Sequence, residues 1–547
     1  MKATLLNLRG SLLPGILLVP LLVVFASWGQ FEPQLWSHLA ATVLPDYLWN
    51  SVLLAGGSGL LALLLGGGLA WLLHAYQFPG RALFNVLLIL PMAFPAYIIA
   101  YSYTALLDFS GPVQSGIRHL TGLGFGDYWF PSVRSVGGAI CMFTLVLYPY
   151  VYLLTRSSLA GHSPRWQEAA QTLGVSRRRY VWSVLLPLTR PALFGGMALV
   201  MMEVFADYGT VQYFGIPTLT TGIFRTWFGM NDRAGAAQLA SLLCILALCL
   251  MLLELYSRRQ LRFYHTGQAG RPVAAKRLRG VRAALATGAI VTVLWFAFFW
   301  PALALLVWSL ETPQTWLSLD YLQLLGNSIS LAAASTVLLL VVAMVLVYGL
   351  RQRLPVWQQL LIRLSSLGYA VPGTVIAIGV MWPLSAIDNA VDQWMEQQFD
   401  IRTGLLLSGT VVALLLAYLV RFLAVAMQSL ESGLSQIKPS MDQAAASLGC
   451  SRAQVMFRLH LPVLKTSLWT AALLVFVDVL KELPATLLLR PFNFDTLAVR
   501  TFELASDEQL ASAAVPALTI VLAGLIPVIL LNRAALKRRP TPGRRTD

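Results

Sequence analysis

The side chains with the most chemical reach in this 547-residue sequence are acidic groups set into apolar runs. Glu203 and Asp207 stand four apart, a spacing that puts both carboxylates on one face of a helix. Asp478 and Glu482 repeat that spacing 275 residues later, with Lys481 beside them as an ion partner. Together with phenols such as Tyr208 and Tyr213 they make the oxygen-donor set that suits a hard trivalent cation. The competing reading places the same acids near outer helix ends, paired structurally with Arg225 and Arg500. An ionisable group at the centre of a bilayer costs roughly 2.5–3.5 kcal/mol on insertion scales, so each one needs a partner or a function. No catalytic set is expected. The His residues are scattered without an HExxH pattern, and no metal site is assigned. Cys141, Cys244, Cys249 and Cys450 form no CxxC and read as small packing residues. The phosphate-cradling GxxxxGK[ST] pattern is absent, so the chain is not expected to hydrolyse ATP itself.

The elements that position these groups follow from composition. The chain is 57% hydrophobic and 12% charged, where soluble chains carry about 25% charged residues. Twelve apolar runs are long enough to span a bilayer, which takes roughly 20 residues. Six lie near 11–29, 51–75, 84–107, 137–158, 192–214 and 238–256, and six near 283–309, 326–350, 365–385, 404–428, 466–489 and 511–532. Continuous apolarity, without barrel-type alternation, predicts an all-α polytopic membrane protein. The first run lacks a convincing small-residue cleavage site and reads as a retained anchor. The formal charge of +15 concentrates between runs four and five, between six and seven, after run eight, before run eleven and at the C-terminal end. Opposite loops are poor in base or acidic, as at Asp388, Asp392, Glu396 and Asp400. This asymmetry predicts both termini in the cytoplasm, and it assigns the surplus base to the lipid bilayer and not to nucleic acid.

The chain also reads as one unit written twice. Asn50-Ser51 matches Asn327-Ser328, Pro95 matches Pro372, and Arg225-Thr226 matches Arg500-Thr501, all at offsets near 275. Six helices per unit make the repeats parallel, with a pathway expected between them. The expected division is a first unit over 1–256, a basic linker over 257–282 and a second unit over 283–547. The glycine clusters Gly56, Gly57, Gly59 and Gly66, Gly67, Gly68 suit either a hinge or close helix packing, and packing is the commoner use.

The most specific pattern lies in the loops between spans four and five, 160–190 and 434–465. The first reads Glu168-Ala169-Ala170, three residues, Gly174, nine residues, then Val184, Leu186 and Pro187. The second reads Gln443-Ala444-Ala445, three residues, Gly449, nine residues, then Leu459, Leu461 and Pro462. Each predicts a short helix, a bend at glycine, a second short helix and a proline opening the next span. Such a knob is too polar for lipid and too apolar to be merely solvated, so it should dock on another protein.

This pattern resembles the coupling loop of bacterial binding-protein-dependent ABC importer permeases, and the likeness covers essentially the whole chain as two fused units. The resemblance implies the type I importer permease fold, an inner-membrane location, a homodimer of ABC ATPase subunits seated on both loops, and ATP with Mg bound by those subunits. Gln443 departs from the family's usual Glu, which removes a charge from the second knob. The segments from Phe205 to Ile223 and from Lys481 to Leu497 resemble those of iron(III) permeases fed by a periplasmic ferric-binding protein. Ferric iron is thus the expected substrate, with thiamine or another small solute as the alternative. Glu203, Asp207, Tyr208, Asp478 and Glu482 are the expected path residues. A 12-helix secondary transporter driven by an ion gradient is the competing class, but the loop from His74 to Arg81 lacks the basic signature expected there.

Overall fold

A computed structural model describes residues 2–124, 127–161, 170, 172–259, 276–351, 354–435 and 437–537. With no water in the bilayer core, each segment must satisfy its own backbone polar groups, and long helices do so. Among the described residues eleven helices are long and apolar enough to cross a membrane, or twelve when one bent pair counts as a single span. The first half contributes Leu12–Gln30, Leu44–Ala75, Val136–Ala160, Val181–Ala206 and Arg233–Tyr256. The second contributes Val281–Glu311, Leu319–Arg351, Gly373–Phe399, Val411–Leu434, Met456–Leu480 and Leu510–Leu530.

The run at 84–107 departs from expectation, because it is the bent pair. Arg81–Ala93 and Ala96–Thr121 meet at 91°. Pro95 is the cause: it pushes Phe94 into extended backbone, φ −85° and ψ 128°, and a new helix starts at Ala96. Pro372 acts in the same way on Val371, φ −90° and ψ 129°, before Gly373–Phe399 begins.

Spans five and eleven also shift. They were expected over 192–214 and 466–489, yet they start at Val181 and Met456 and end at Ala206 and Leu480. Pro187 and Pro462 therefore do not open free-standing helices. Each follows a π-helical turn, Val181–Leu185 or Met456–His460, that runs directly into the membrane helix. The wide turn disturbs the regular amide ladder at the point where a residue without an N–H must be accommodated.

Beyond Ala206 and Leu480 the chain folds back in short helices, Gly209–Tyr213 and Leu219–Phe224 in one half, Pro484–Leu489 and Leu497–Ser506 in the other. The duplication is visible bond by bond in how these returns are held. Asn50 Nδ2 donates to the Pro217 carbonyl at 2.9 Å, and Asn327 Nδ2 to the Asp495 carbonyl at 3.3 Å. Ser51 Oγ accepts from the Leu219 amide at 3.0 Å, and Ser328 Oγ from the Leu497 amide at 2.7 Å. The Asn-Ser pair that revealed the repeat in sequence is thus a clamp on the returning segment.

The halves interlock. The first helix packs against Gly373–Phe399 of the second half, close enough that a Cβ on Gly379 would meet the Pro20 carbonyl at 2.2 Å. In return Tyr103 donates to the Phe296 carbonyl at 2.5 Å, and Phe94 meets Phe298 edge-on at 5.6 Å. A two-residue parallel strand pair, Tyr76–Gln77 with Lys276–Arg277, ties the end of the basic linker to the first half.

The glycine clusters divide by position. A Cβ on Gly66 would lie 2.5 Å from the Tyr148 carbonyl and 3.0 Å from Val151 Cβ, so this glycine sets the approach of Leu44–Ala75 to Val136–Gly161. Gly57, Gly59 and Gly67 face Ile140, Met201 and Leu193 at similar range, whereas Gly56 and Gly68 meet nothing within 4 Å. Gly66→Ala should therefore destabilise the protein by about 1–3 kcal/mol through overpacking. Gly68→Ala should stabilise it by roughly 0.5–1 kcal/mol through helix propensity. Thermal unfolding of the two variants in detergent, with opposite shifts from wild type, checks this.

Candidate functional site

The repeated loops keep their common geometry where they are described. Pro439–Ser447 is helical, and Gly449 ends it in the left-handed region, φ 78°, with the Cys450 amide bonded back to the Ala445 carbonyl at 3.0 Å. Gly174 does the same at φ 68°, with the Val175 amide on the Ala170 carbonyl at 2.9 Å. Both turns need glycine, because a side chain at positive φ is strained. Glu168 and Ala169 lie outside the described residues. Ala170 and Ala445 are half-buried, while Gln443, Ala444, Gly174 and Gly449 are exposed. Leu186, Pro187, Leu461 and Pro462 belong to the first turn of the membrane helices behind the knobs. Sequence reasoning passed over Leu173 and Leu448, which stand 80% and 84% exposed at the tips. An apolar residue directly before a helix-ending glycine, twice at the same offset, was the available signal.

The expected path residues converge on a cavity of about 130 Å³ between the two halves, though not all of them line it. Its wall includes Tyr97, Tyr150, Glu203 and Asp207 from the first half and Tyr369, Arg421, Asp478, Lys481 and Glu482 from the second. The expectation that Glu203 and Asp207 share a helix face is corrected. The helix ends at Ala206, and Asp207 lies in extended backbone, φ −74° and ψ 136°. Glu482 likewise falls beyond the helix that carries Asp478.

The ends of these helices determine what the acids do. Asp207 accepts from the Thr210 amide at 2.9 Å, the Thr210 hydroxyl at 3.1 Å and the Val211 amide at 3.3 Å, and so caps the returning helix. Its repeat counterpart Glu482 accepts from the Ala485 amide at 3.2 Å and pairs with Arg421 Nε at 3.1 Å. Asp478 pairs with Lys481 at 2.9 Å, as the sequence suggested. The described hydrogen bonds to Glu203 come from phenols, Tyr150 at 3.4 Å and Tyr369 at 3.5 Å.

Tyr208 is corrected: it is absent from the cavity wall and stacks on Phe224, ring centroids 3.7 Å apart, with Phe502 beyond at 5.8 Å. Tyr213 lies under the Arg134 guanidinium at 5.3 Å. The structural pairing proposed for the acids also fails, since Arg225 donates to Tyr47 at 3.4 Å and Arg500 pairs with Glu503 at 3.7 Å. Arg421, Tyr150 and Tyr369 were missed in sequence because each is far along the chain from the acid it meets. Arg421, an arginine inside an apolar run, was the strongest unused signal.

Gly373 leaves the room for the Arg421–Glu482 pair: a Cβ there would fall 2.4 Å from Arg421 Nη1 and 2.6 Å from Glu482 Oε1. Both side chains are largely buried, at 12% and 5% exposure. Arg421→Ala should therefore cost about 3–5 kcal/mol, because it strands a buried carboxylate. Pairing it with Glu482→Gln should recover most of that loss. Protein yield and melting temperature of the single and double variants in detergent measure the difference.

Comparison with known proteins gives these features a context. The family described as binding-protein-dependent transport system inner membrane component matches residues 62–262 and 351–539, one stretch in each half. The Fe(3+)-transport system permease protein FbpB 2 of Haemophilus influenzae is 27% identical over 90% of this chain and 91% of its own. The ferric transport system permease protein FbpB of Actinobacillus pleuropneumoniae is 25% identical over 88% of this chain and 71% of its own. The molybdenum transport system permease protein ModB of Escherichia coli K12 is 28% identical over 42% of this chain and 100% of its own, so a complete relative corresponds to less than half of this one. The family assignment sets aside the ion-gradient transporter. Two family matches along one chain, two six-helix halves and two copies of the glycine-bent loop lead to one conclusion: the chain belongs to the binding-protein-dependent ABC importer permeases, as a fused, two-unit, multi-pass inner-membrane component.

Proposed function

We propose that this permease moves ferric iron, handed over by a periplasmic binding protein, through the cavity between its halves. The observation that carries the substrate reading is the cavity wall, where four carboxylates and several phenols outnumber two cationic groups. Hard cations prefer oxygen donors, and a net acidic wall favours a cation over an anion. The two relatives named for Fe(3+) or ferric transport, matching along nearly the whole chain, support the same substrate.

In this reading a homodimer of ATPase subunits, carrying ATP and Mg, seats on the two glycine-bent loops with Leu173 and Leu448 as apolar tips. Both termini then lie in the cytoplasm. Closing of the ATPase pair draws the loops together and turns the cavity outward, and hydrolysis resets it. The permease itself performs no chemistry on ATP.

The test is uptake of radiolabelled ferric iron in a deletion strain carrying the wild-type or variant gene, with thiamine uptake measured in parallel. Iron uptake should depend on the permease, and Glu203→Gln with Asp207→Asn should lower it at least tenfold at normal protein level, roughly the loss of one ionic contact. Permease-dependent thiamine uptake without iron uptake overturns the substrate. Gly174 and Gly449 changed together to a bulky residue should release the ATPase on co-purification, and an ATPase retained at wild-type level overturns the docking assignment.

A further inference from the structure

The second loop carries an ionic knot whose residue types the first half does not repeat. Arg351 is the last residue of Leu319–Arg351, and its guanidinium reaches three acceptors at once. Nε donates to Asp442 Oδ2 at 2.7 Å, Nη1 to the Leu434 carbonyl at 3.0 Å and Nη2 to the Ile437 carbonyl at 3.1 Å. Leu434 is the last residue of Val411–Leu434, and its carbonyl accepts from both Arg351 and the Ile437 amide, the latter at 3.1 Å. The other Asp442 oxygen, Oδ1, meets His460 Nε2 at 2.8 Å. His460 is 2% exposed, closes the π-helical turn leading into Leu461–Leu480, and packs edge-on against Tyr348 at 5.7 Å. One carboxylate on the short loop helix Pro439–Ser447 thereby joins three membrane helices. Partial burial alone would raise the Asp442 carboxyl, but the bonds from Arg351 and His460 outweigh it and hold it below its ordinary value.

The repeat makes this specific to one half. At the matching offsets the first half has His74, Gln167 and Leu185, so an arginine, a carboxylate and an imidazole do not recur at those three positions. The charge has also moved around the loop helix. The first loop has Glu168 where the second has Gln443, and the second carries its acid one residue earlier. Gln443 is exposed whereas Asp442 is half-buried and faces Arg351 and His460.

We infer that Arg351, Asp442 and His460 are positioning residues through which the second loop moves the membrane helices. The inference rests on the ATPase-docking reading above. Arg is suited to the role because its planar fork serves several acceptors in fixed geometry, which a lysine ammonium does not.

The experiment uses the full permease with its ATPase subunits in liposomes, spin labels at the exposed positions 120 and 492 of the two halves, and no transported substrate. Wild type should show an ATP-dependent change in the label distance. Arg351→Gln and Asp442→Asn should keep the ATPase bound and hydrolysing, while the ATP-shifted population falls roughly 2- to 30-fold. Arg351→Lys should restore part of it. A full shift in both variants overturns the inference, as does release of the ATPase, which would make the knot a docking contact. Failure of both variants to assemble also overturns it, because the knot would then serve only the fold. A wild-type permease that binds no ATPase defeats the docking reading itself, an outcome distinct from all of these.

Discussion

Hydrocarbon offers no hydrogen bonds, and the helices of this protein and their ends answer to that constraint. The long helices satisfy their backbones internally. Where a helix must stop inside the membrane-embedded body, a side chain takes over: Asp207 and Glu482 cap the returning segments, and Ser51 and Ser328 receive the first amides of the next short helices. The acids around the cavity therefore have a structural occupation before any functional one, and Glu203 takes its described hydrogen bonds from phenols.

How far the sequence led depends on the range of the interaction. Spans, repeat and loops were legible because each is written locally, in apolar runs, in an Asn-Ser pair or in a glycine nine residues before an aliphatic-Leu-Pro ending. The bent third span was legible only in part: Pro95 was noticed as a repeat marker, while its power to break the helix was not applied. The shifted fifth and eleventh spans have a similar cause. Apolar runs continue past Ala206 and Leu480 because the returning segments are buried in protein, and burial demands apolarity as lipid does.

The cavity was the least legible part. Its acids were found, but Tyr208 was assigned to it on residue type, whereas stacking on Phe224 places it elsewhere. Tyr150 and Tyr369 meet Glu203 across 53 and 166 residues of chain, and Arg421 meets Glu482 across 61, separations at which no local pattern survives. The interlocked first helices and the Tyr76–Gln77 strand pairing are invisible in sequence for the same reason.

The cavity's two cations, Arg421 and Lys481, both come from the second half; their counterparts by the repeat are Val146 and Ala206. An assembly of two identical subunits could not be built this way, since any residue it placed on one wall would reappear on the other. Joining the copies in one chain removes that obligation. Mutations can then accumulate on one wall alone, and the cavity acquires a left and a right, as the two repeated loops have done by carrying their acids at different positions, Glu168 in one and Asp442 in the other. Fusion here is a licence for handedness.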